Sequence, residues 1–213
     1  MNAHTHRLQR GLTLTELLIA STIGILVIGG AIAVFSANQT VGRTTEQYQL
    51  AQDDFRYVSQ IITRVVRDGF SFDAATSAST LVVSYPSVNL TGLRNCVGAE
   101  PISAQTNRFA LRRDTQRGLW VLECIVDNPN QTQTLMEWPI SNAADADDRF
   151  IVRLLRPSVT NTNNDLGSLL ENGTTAANAS SVEVTIRLRR PNAPNNVQTR
   201  FVATMRCRVL ACQ

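Results

Sequence analysis

The sequence predicts an α+β protein in which a long amino-terminal helix packs on an antiparallel β-sheet head. Two observations support this fold class. No proline occurs before Pro86, and helical periodicity runs from about residue 13 to residue 67. From Gly69 onwards, short stretches of alternating apolar and polar side chains replace that periodicity, and such alternation is typical of strands.

The helix begins with a segment that is apolar enough to cross a membrane. Residues 1–11 are polar and basic, whereas residues 12–35 contain 16 apolar residues, three glycines and five Ser, Thr or Glu. As a helix, residues 12–35 span about 36 Å, compared with about 30 Å for the hydrocarbon core of a bilayer. Because Arg7 and Arg10 precede the segment, we expect the amino terminus in the cytoplasm and the remainder outside.

Glu16 is the one charged side chain between Arg10 and Arg43. A carboxylate within a bilayer costs several kcal/mol unless it finds a partner, and this helix has no cation nearby. Cleavage between Gly11 and Leu12 would create an ammonium group four residues before Glu16. Two such helices, offset by about one turn, would pair the amine of one with the carboxylate of the other. Docking of subunits would then neutralise the buried charge.

The residues around Glu16 resemble a known signal. The stretch RGLTLTELLIAS, from Arg10 to Ser21, is similar to the class III signal of type IV pilins and pseudopilins. The resemblance implies that a prepilin peptidase cleaves after Gly11 and methylates the new amino terminus at Leu12. It also implies that Glu16 guides the subunit into a filament. Leu12 stands where Phe is usual, and the run lacks the helix-kinking proline of many major pilins, which favours a minor pilin or a pseudopilin.

An ordinary secretory signal peptide and a plain single-pass anchor are the alternatives for this segment. Ala31-Ile32-Ala33 has the small-x-small pattern of a signal-peptidase site. However, the apolar stretch before that site has about 19 residues instead of 7–15, and it contains Glu16. The pilin-like signal therefore explains the segment better.

The second half of the helix has one apolar face. Its residues follow steps of three and four: Tyr48, Ala51, Phe55, Val58, Ile62 and Val65. Ile61 and Val66 widen this stripe to cover a sheet, and Asp68-Gly69 is a stop signal. We expect this half to pack on its own domain, whereas the first half packs against other pilin helices. Residues 51–72 also resemble the corresponding helix end of PilW-type minor pilins.

These patterns divide the chain into four parts. We predict a leader peptide at 1–11, a transmembrane or filament-core helix at 12–35, an amphipathic continuation at 36–68 and a β-rich head at 69–213. The topology places a single-pass protein in the inner membrane with its head in the periplasm. In an assembled pilus the head would be extracellular.

Seven strands are predicted for the head: Thr80–Tyr85, Arg108–Arg113, Leu119–Val126, Thr134–Trp138, Arg149–Leu155, Ser181–Arg189 and Arg200–Val209. The clearest alternation places four residues inward: Val182, Val184, Ile186 and Leu188. It places four others outward: Glu183, Thr185, Arg187 and Arg189. Residues 157–181, rich in Asn, Thr, Ser, Gly and Ala, are predicted as an exposed loop.

Four cysteines lie on the exported side, namely Cys96, Cys124, Cys207 and Cys212. An even number in an oxidising compartment predicts two disulfides, and three connectivities are open. We favour Cys96–Cys124 and Cys207–Cys212, because the second pair closes a loop that resembles the carboxyl-terminal disulfide loop of many pilins. The spacing contains no C-x-x-C pair, so we expect no metal at these cysteines.

The composition excludes several kinds of catalysis. All 20 cationic residues are arginine, and the two histidines, His4 and His6, lie in the predicted leader. The mature chain would therefore have no histidine-based triad, no imidazole zinc ligand, no Schiff-base lysine and no phosphate-loop lysine. We expect no enzymatic activity and no cofactor. A membrane-anchored periplasmic enzyme is the remote alternative.

Two further kinds of residue are candidates for ligand sites: polar loop residues and tryptophans. Oxygen ligands for Ca²⁺ could come from Asn161, Asn163 and Asp165 or from Asp145, Asp147 and Asp148. The first group lacks the glycine at the sixth loop position and the glutamate at the twelfth, so a solvated loop is the better interpretation. Trp120 and Trp138 are expected in the core or at an interface.

A stripe of arginines could bind phosphates if the last two strands are neighbours: Arg187, Arg189, Arg206 and Arg208. Removal of Arg7 and Arg10 lowers the formal charge from +3 to +1 (3 − 2 = 1), which is too small for strong electrostatic attraction to DNA. We therefore do not expect nucleic acid as a partner.

The prediction for function is a minor type IV pilin, similar to PilW, that joins a tip or priming complex and promotes pilus assembly. The resemblance implies that prepilin peptidase processes the chain. It also implies that other minor pilins, the major pilin and the inner-membrane assembly platform are partners. Motility, adhesion or DNA uptake would be the outcome. The alternative is a minor pseudopilin of a type II secretion system.

Overall fold

The computed structural model of the chain describes residues 13–87, 90–140, 149–157, 170–171, 175–188 and 197–205. These residues form one helix, α1 (Leu14–Asp68), and nine strands. The strands are β1 (Ser71–Phe72), β2 (Thr80–Ser84), β3 (Thr106–Asp114), β4 (Leu119–Val126), β5 (Gln131–Pro139), β6 (Phe150–Pro157), β7 (Leu170–Glu171), β8 (Ser181–Leu188) and β9 (Val197–Thr204). The chain divides into two compact units, residues 1–49 and 50–213.

The strands form two antiparallel sheets. The first has the order β1-β2-β3-β4-β5 and the second the order β7-β6-β8-β9. A backbone hydrogen bond connects β6 to the turn between β1 and β2, where the Val152 N–H donates to the Ala78 carbonyl at 2.8 Å. Consecutive strands of the first sheet are all neighbours, as expected for a chain that folds by successive hairpins. One long helix with antiparallel sheets confirms the predicted α+β class.

All seven predicted strands are present. Most of their first and last residues lie within about three positions of the predicted ones. The last strand begins at Val197, three residues before the predicted start, and ends at Thr204; residues 206–209 of the predicted strand lie outside the described part of the chain. The strands β1 and β7 were not predicted, because two residues carry no alternation. The predicted loop at 157–181 contains β7 and a 3₁₀ turn at Ala176–Asn178, and its other central residues lie outside the described part of the chain.

The core of the second unit lies between α1 and the sheets. The helix contributes its predicted apolar face, which is buried at Ala51, Phe55, Val58, Ile61, Ile62, Val65 and Val66. The sheets contribute large buried side chains, among them Leu81, Phe109, Leu122, Phe150 and Ile186. This burial removes much apolar area from water, at about 25 cal/mol per Å². The helix end therefore stays helical chiefly because its apolar face is covered by the sheets.

The faces of the two sheets that point away from the core each carry a buried glutamate. In the first sheet, Arg112 on β3 binds Glu123 on β4 with an Nε–Oε1 distance of 2.9 Å. In the second sheet, Arg153 on β6 and Arg200 on β9 both form ion pairs with Glu183 on β8. The prediction that Glu183 lies on the outward face of its strand is confirmed. Its side chain is on that face but only 7% exposed, because guanidinium groups bind it from both neighbouring strands.

The hairpin between β3 and β4 is closed by a side chain. The Asp114 carboxylate accepts hydrogen bonds from the N–H groups of Gln116 and Arg117, at 3.1 and 3.0 Å. The bond from Arg117 lowers the pKa of Asp114. Gly118 then takes a positive φ of 67°, which glycine adopts without strain. This turn sets the register that places Trp120 opposite Arg113.

Gly69 ends the helix at a point of close contact. Its N–H donates to the Val65 carbonyl at 2.8 Å, and the chain then turns into β1. A Cβ atom at this position would overlap with Cγ1 of Val83, which is fully buried in β2. Glycine is therefore required at position 69, because α1 and β2 approach each other too closely there for a Cβ atom.

Replacing Gly69 with alanine should destabilise the second unit by about 1–3 kcal/mol, because Val83 must move within a packed core. Urea unfolding of the full chain in detergent, followed by tryptophan fluorescence, measures this. Gly42→Ala is the control, since a Cβ there meets no other atom within 4 Å. Equal unfolding midpoints for the two variants would contradict the contact described here.

Candidate assembly site at the amino-terminal helix

Glu16 lies in the first turn of α1 and is bound there by Thr13. The Thr13 N–H and hydroxyl both donate to Oε2 of Glu16, at 3.2 and 3.1 Å, and the Glu16 N–H donates back to the Thr13 hydroxyl at 3.3 Å. This reciprocal arrangement is a capping box, which begins a helix by satisfying its first N–H groups. Both residues are exposed in the single chain. Among residues 13–87, the partners of the carboxylate are thus neutral donors, and no ion pair with a cation neutralises its charge there.

The residues after Glu16 form an exposed apolar surface. Leu17, Leu18 and Ile19 are each more than half exposed, and so are many later apolar residues of the helix as far as Phe35. The hydroxyl groups in this run are satisfied by the helix itself: Ser21 donates to the Leu18 carbonyl at 2.9 Å. Thr22 and Ser36 bind carbonyls three residues earlier in the same way. These hydroxyl groups therefore need no water, which suits an apolar environment.

Within the described part of the chain, α1 is the one helix long and apolar enough to cross a membrane, judged by length and composition. Its apolar stretch contains one ionisable residue, Glu16. The arrangement matches the hydrophobic requirement for spanning a bilayer. In this apolar stretch, the Glu16 carboxylate is the ionisable group that needs a partner in a bilayer, because an unpaired charge there is costly.

Residues 6–32 match the family model described as the prokaryotic N-terminal methylation motif. The chain carries a type IV prepilin-like signal. No curated protein and no solved structure matches the chain. The matched residues include the predicted cleavage position and Glu16, and they end before the head begins. The motif therefore identifies the signal, and it does not identify a subclass such as PilW.

The signal supports a type IV pilin-like or pseudopilin protein, processed by prepilin peptidase and associated with the membrane. It also suits a single-pass anchor, because residues 14–32 of the match lie in the apolar part of α1. The two residues of the predicted cleavage site, Gly11 and Leu12, lie outside the described residues, and their roles stay predictions.

In the head of this prepilin-like chain, Cys96 and Cys124 form a disulfide that spans 28 positions in sequence. It connects the loop after β2 to the middle of β4, and both cysteines are buried. The other predicted pair, Cys207 and Cys212, lies outside the described residues. Of the three connectivities that the sequence leaves open, the favoured pairing of Cys96 with Cys124 is confirmed.

The loop that carries Cys96 is held by buried amides that the sequence analysis did not single out. The side-chain oxygen of Asn107 on β3 accepts a hydrogen bond from the Cys96 N–H at 3.0 Å. The side-chain amide of Asn95 donates a hydrogen bond to the side-chain oxygen of Gln105 at 3.2 Å. Tyr85 donates to the Arg94 carbonyl at 2.6 Å, and burial raises the pKa of its hydroxyl. Single polar residues between strands give no periodic signal, so only the fold reveals that they meet around the disulfide.

The remaining candidates do not form a ligand site in the described residues. No group of three or more His, Cys, Asp or Glu side chains is placed there to hold a metal ion. The two sets of candidate calcium ligands lie outside that part of the chain, as do Arg189, Arg206 and Arg208. Trp120 and Trp138 are directly opposite each other on β4 and β5 and are 5% and 3% exposed. Their predicted core position is confirmed.

Replacing both Cys96 and Cys124 with alanine should lower the free energy of unfolding by about 3–4 kcal/mol, from the greater entropy of an unfolded chain with no 28-residue cross-link. Urea unfolding of the full chain in detergent measures this value. Reduced wild-type protein is the control and should lose at least as much stability. Unchanged midpoints in both samples would contradict a structural role for this disulfide.

Proposed function

We propose that the protein is a minor type IV pilin, similar to PilW, that joins a tip or priming complex and promotes filament assembly. It acts as a structural subunit without enzymatic activity. The observation that carries this proposal is Glu16, a lone carboxylate in an apolar helix that directly follows a prepilin-like signal.

Electrostatics supports a role for Glu16 in docking. In the described chain its carboxylate accepts hydrogen bonds from Thr13, which satisfy acceptor positions but leave the negative charge. In a bilayer an unpaired carboxylate costs about 2.5–3.5 kcal/mol or more. Cleavage after Gly11 places an ammonium on the next residue, so a neighbouring processed subunit supplies the missing cation. Assembly is then favoured over the isolated membrane-bound subunit.

The cap formed by Thr13 also assists this pairing. The capping box holds the Glu16 carboxylate beside the first turn of the helix, where the helix dipole favours a negative charge. The carboxylate is therefore held near the amino-terminal end of the helix. Its partners in the filament are other minor pilins and the major pilin, and the inner-membrane platform assembles them.

The unbroken helix favours a minor subunit over a main filament subunit. The sequence contains no proline before Pro86, and α1 continues as helix from Leu14 to Asp68. A pseudopilin of a type II secretion system shares these features and is the second candidate. In both settings the head is exported to the periplasm, and in an assembled pilus it is exposed at the cell exterior.

Replacing Glu16 with alanine should reduce incorporation into filaments at least about tenfold, because the pairing that favours docking is lost. The measurement is the fraction of the protein that co-purifies with other pilins in sheared surface filaments. Glu46→Ala is the matched control, since Glu46 is an exposed acid on the same helix beyond the apolar run. Normal incorporation of the Glu16→Ala protein would contradict the docking mechanism.

Deleting the protein separates the two candidate functions. Loss of surface filaments with normal protein secretion supports a pilus subunit. Loss of secreted proteins with normal filaments supports a pseudopilin and overturns the pilus assignment.

A further inference from the structure

Residues 36–46 of α1 lie between the apolar run, which ends at Phe35, and the half of the helix that packs on the sheets. Each of these eleven residues is exposed. The first buried residue of α1 in the described chain is Ala51, and the second compact unit begins at Leu50. We call residues 36–46 the uncovered segment, because every residue in it is open to solvent.

The sequence of the uncovered segment is a poor helix former. Seven of its eleven residues rank low in helix propensity, because they are β-branched, compete with the backbone for hydrogen bonds or lack a side chain. They are Ser36, Asn38, Thr40, Val41, Gly42, Thr44 and Thr45. A short helix without packing is marginal in water even when it is rich in alanine, and here the side chains weaken it further.

Three threonine hydroxyls of the uncovered segment bond to the backbone of the helix. Thr40, Thr44 and Thr45 each donate to the carbonyl four residues earlier, at 3.0, 2.8 and 2.9 Å. These bonds use the same carbonyls that accept the N–H groups of the helix, and they slightly destabilise and bend it. The side chains therefore compete with the hydrogen bonds that maintain the helix.

Gly42 adds to this weakness without a packing reason. A Cβ atom there would meet no atom within 4 Å beyond its own stretch of helix, whereas one at Gly69 would overlap with Val83. Glycine inside a helix is destabilising, because it has the greatest backbone freedom in the coil. The two glycines thus differ, since Gly69 is required by a contact within the chain and Gly42 favours the coil.

We propose that the uncovered segment exchanges between helix and coil in the free subunit, while the helix on both sides of it stays intact. On one side, the bilayer holds the apolar run as a helix, because every backbone polar group there must bond within the chain. On the other side, the sheets cover the apolar face from Ala51 to Val66. The uncovered segment has neither support, so the opening is confined to it.

Opening of the uncovered segment interrupts α1 between Glu16 and the packed half of the helix. The end of α1 that carries Glu16 can then change direction independently of the end that packs on the sheets. A chain that packs along the segment would restore the helix, since most helical stability in proteins comes from packing. Closure on assembly rests on the proposed function, whereas opening in the free subunit does not.

Hydrogen exchange of the purified full chain in detergent tests this proposal. The amides of residues 40–48 should exchange at least about tenfold faster than those of residues 58–66, because less free energy is needed to open a helix without packing. Both stretches lie in α1, so they share one type of backbone hydrogen bond. Equal exchange in the two stretches would overturn the proposal. The measurement needs no filament, so failure of the proposed pilus function would leave its result standing.

A matched pair of double variants tests the cause of the opening. Thr44→Ala with Thr45→Ala and Thr44→Gly with Thr45→Gly both remove two hydroxyl–carbonyl bonds, and they differ chiefly in helix propensity. Residues 40–48 should exchange at least about tenfold faster in the glycine variant, because glycine is the poorer helix former at both positions. Both threonines are exposed, so exchange at residues 58–66 and the urea midpoint should be the same in the two proteins. Equal exchange at residues 40–48 would contradict the proposal.

Discussion

The carboxylate of Glu16 is the one charge in the apolar part of α1, and the proposed function depends on how that charge is neutralised. Among the described residues, the N–H and hydroxyl of Thr13 donate hydrogen bonds to this carboxylate. Hydrogen bonds from neutral groups lower the cost of burial but do not remove the charge. An amino terminus created by cleavage after Gly11 would provide the cation, and it would come from a neighbouring subunit. In the proposed mechanism, a single electrostatic requirement would link processing to assembly.

In the head, by contrast, two buried glutamates are paired with cations of the same chain. Glu123 and Glu183 each lie on the outer face of a sheet and are paired with arginines of neighbouring strands. These pairs are complete within one chain, so they need no partner. The head is also cross-linked by the disulfide between Cys96 and Cys124. The helix end beneath it is fixed by packing, as the close contact at Gly69 shows.

Periodic features of the fold could be predicted from sequence, and non-periodic ones could not. The stripe from Ala51 to Val65 and the alternation around Val184 both report a buried face, and both are buried in the structure. By contrast, the amides around Cys96 meet through loops, and β1 is too short to show a pattern. The prepilin-like signal was predictable because it depends on adjacent residues. The burial of Glu183 was not, because its arginine partners come from strands that are distant in sequence.

The mass of the amino-terminal peptide of membrane-extracted protein tests the central claim most directly, in cells with and without prepilin peptidase. The account predicts a mature chain that begins at Leu12 with a methylated amine when the peptidase is present. Without the peptidase, residues 1–11 should be retained and the protein should stay unassembled. A mature chain that begins at Val34 would contradict the account, because the apolar segment and Glu16 would then be discarded. Retention of residues 1–11 in the presence of the peptidase would contradict it equally.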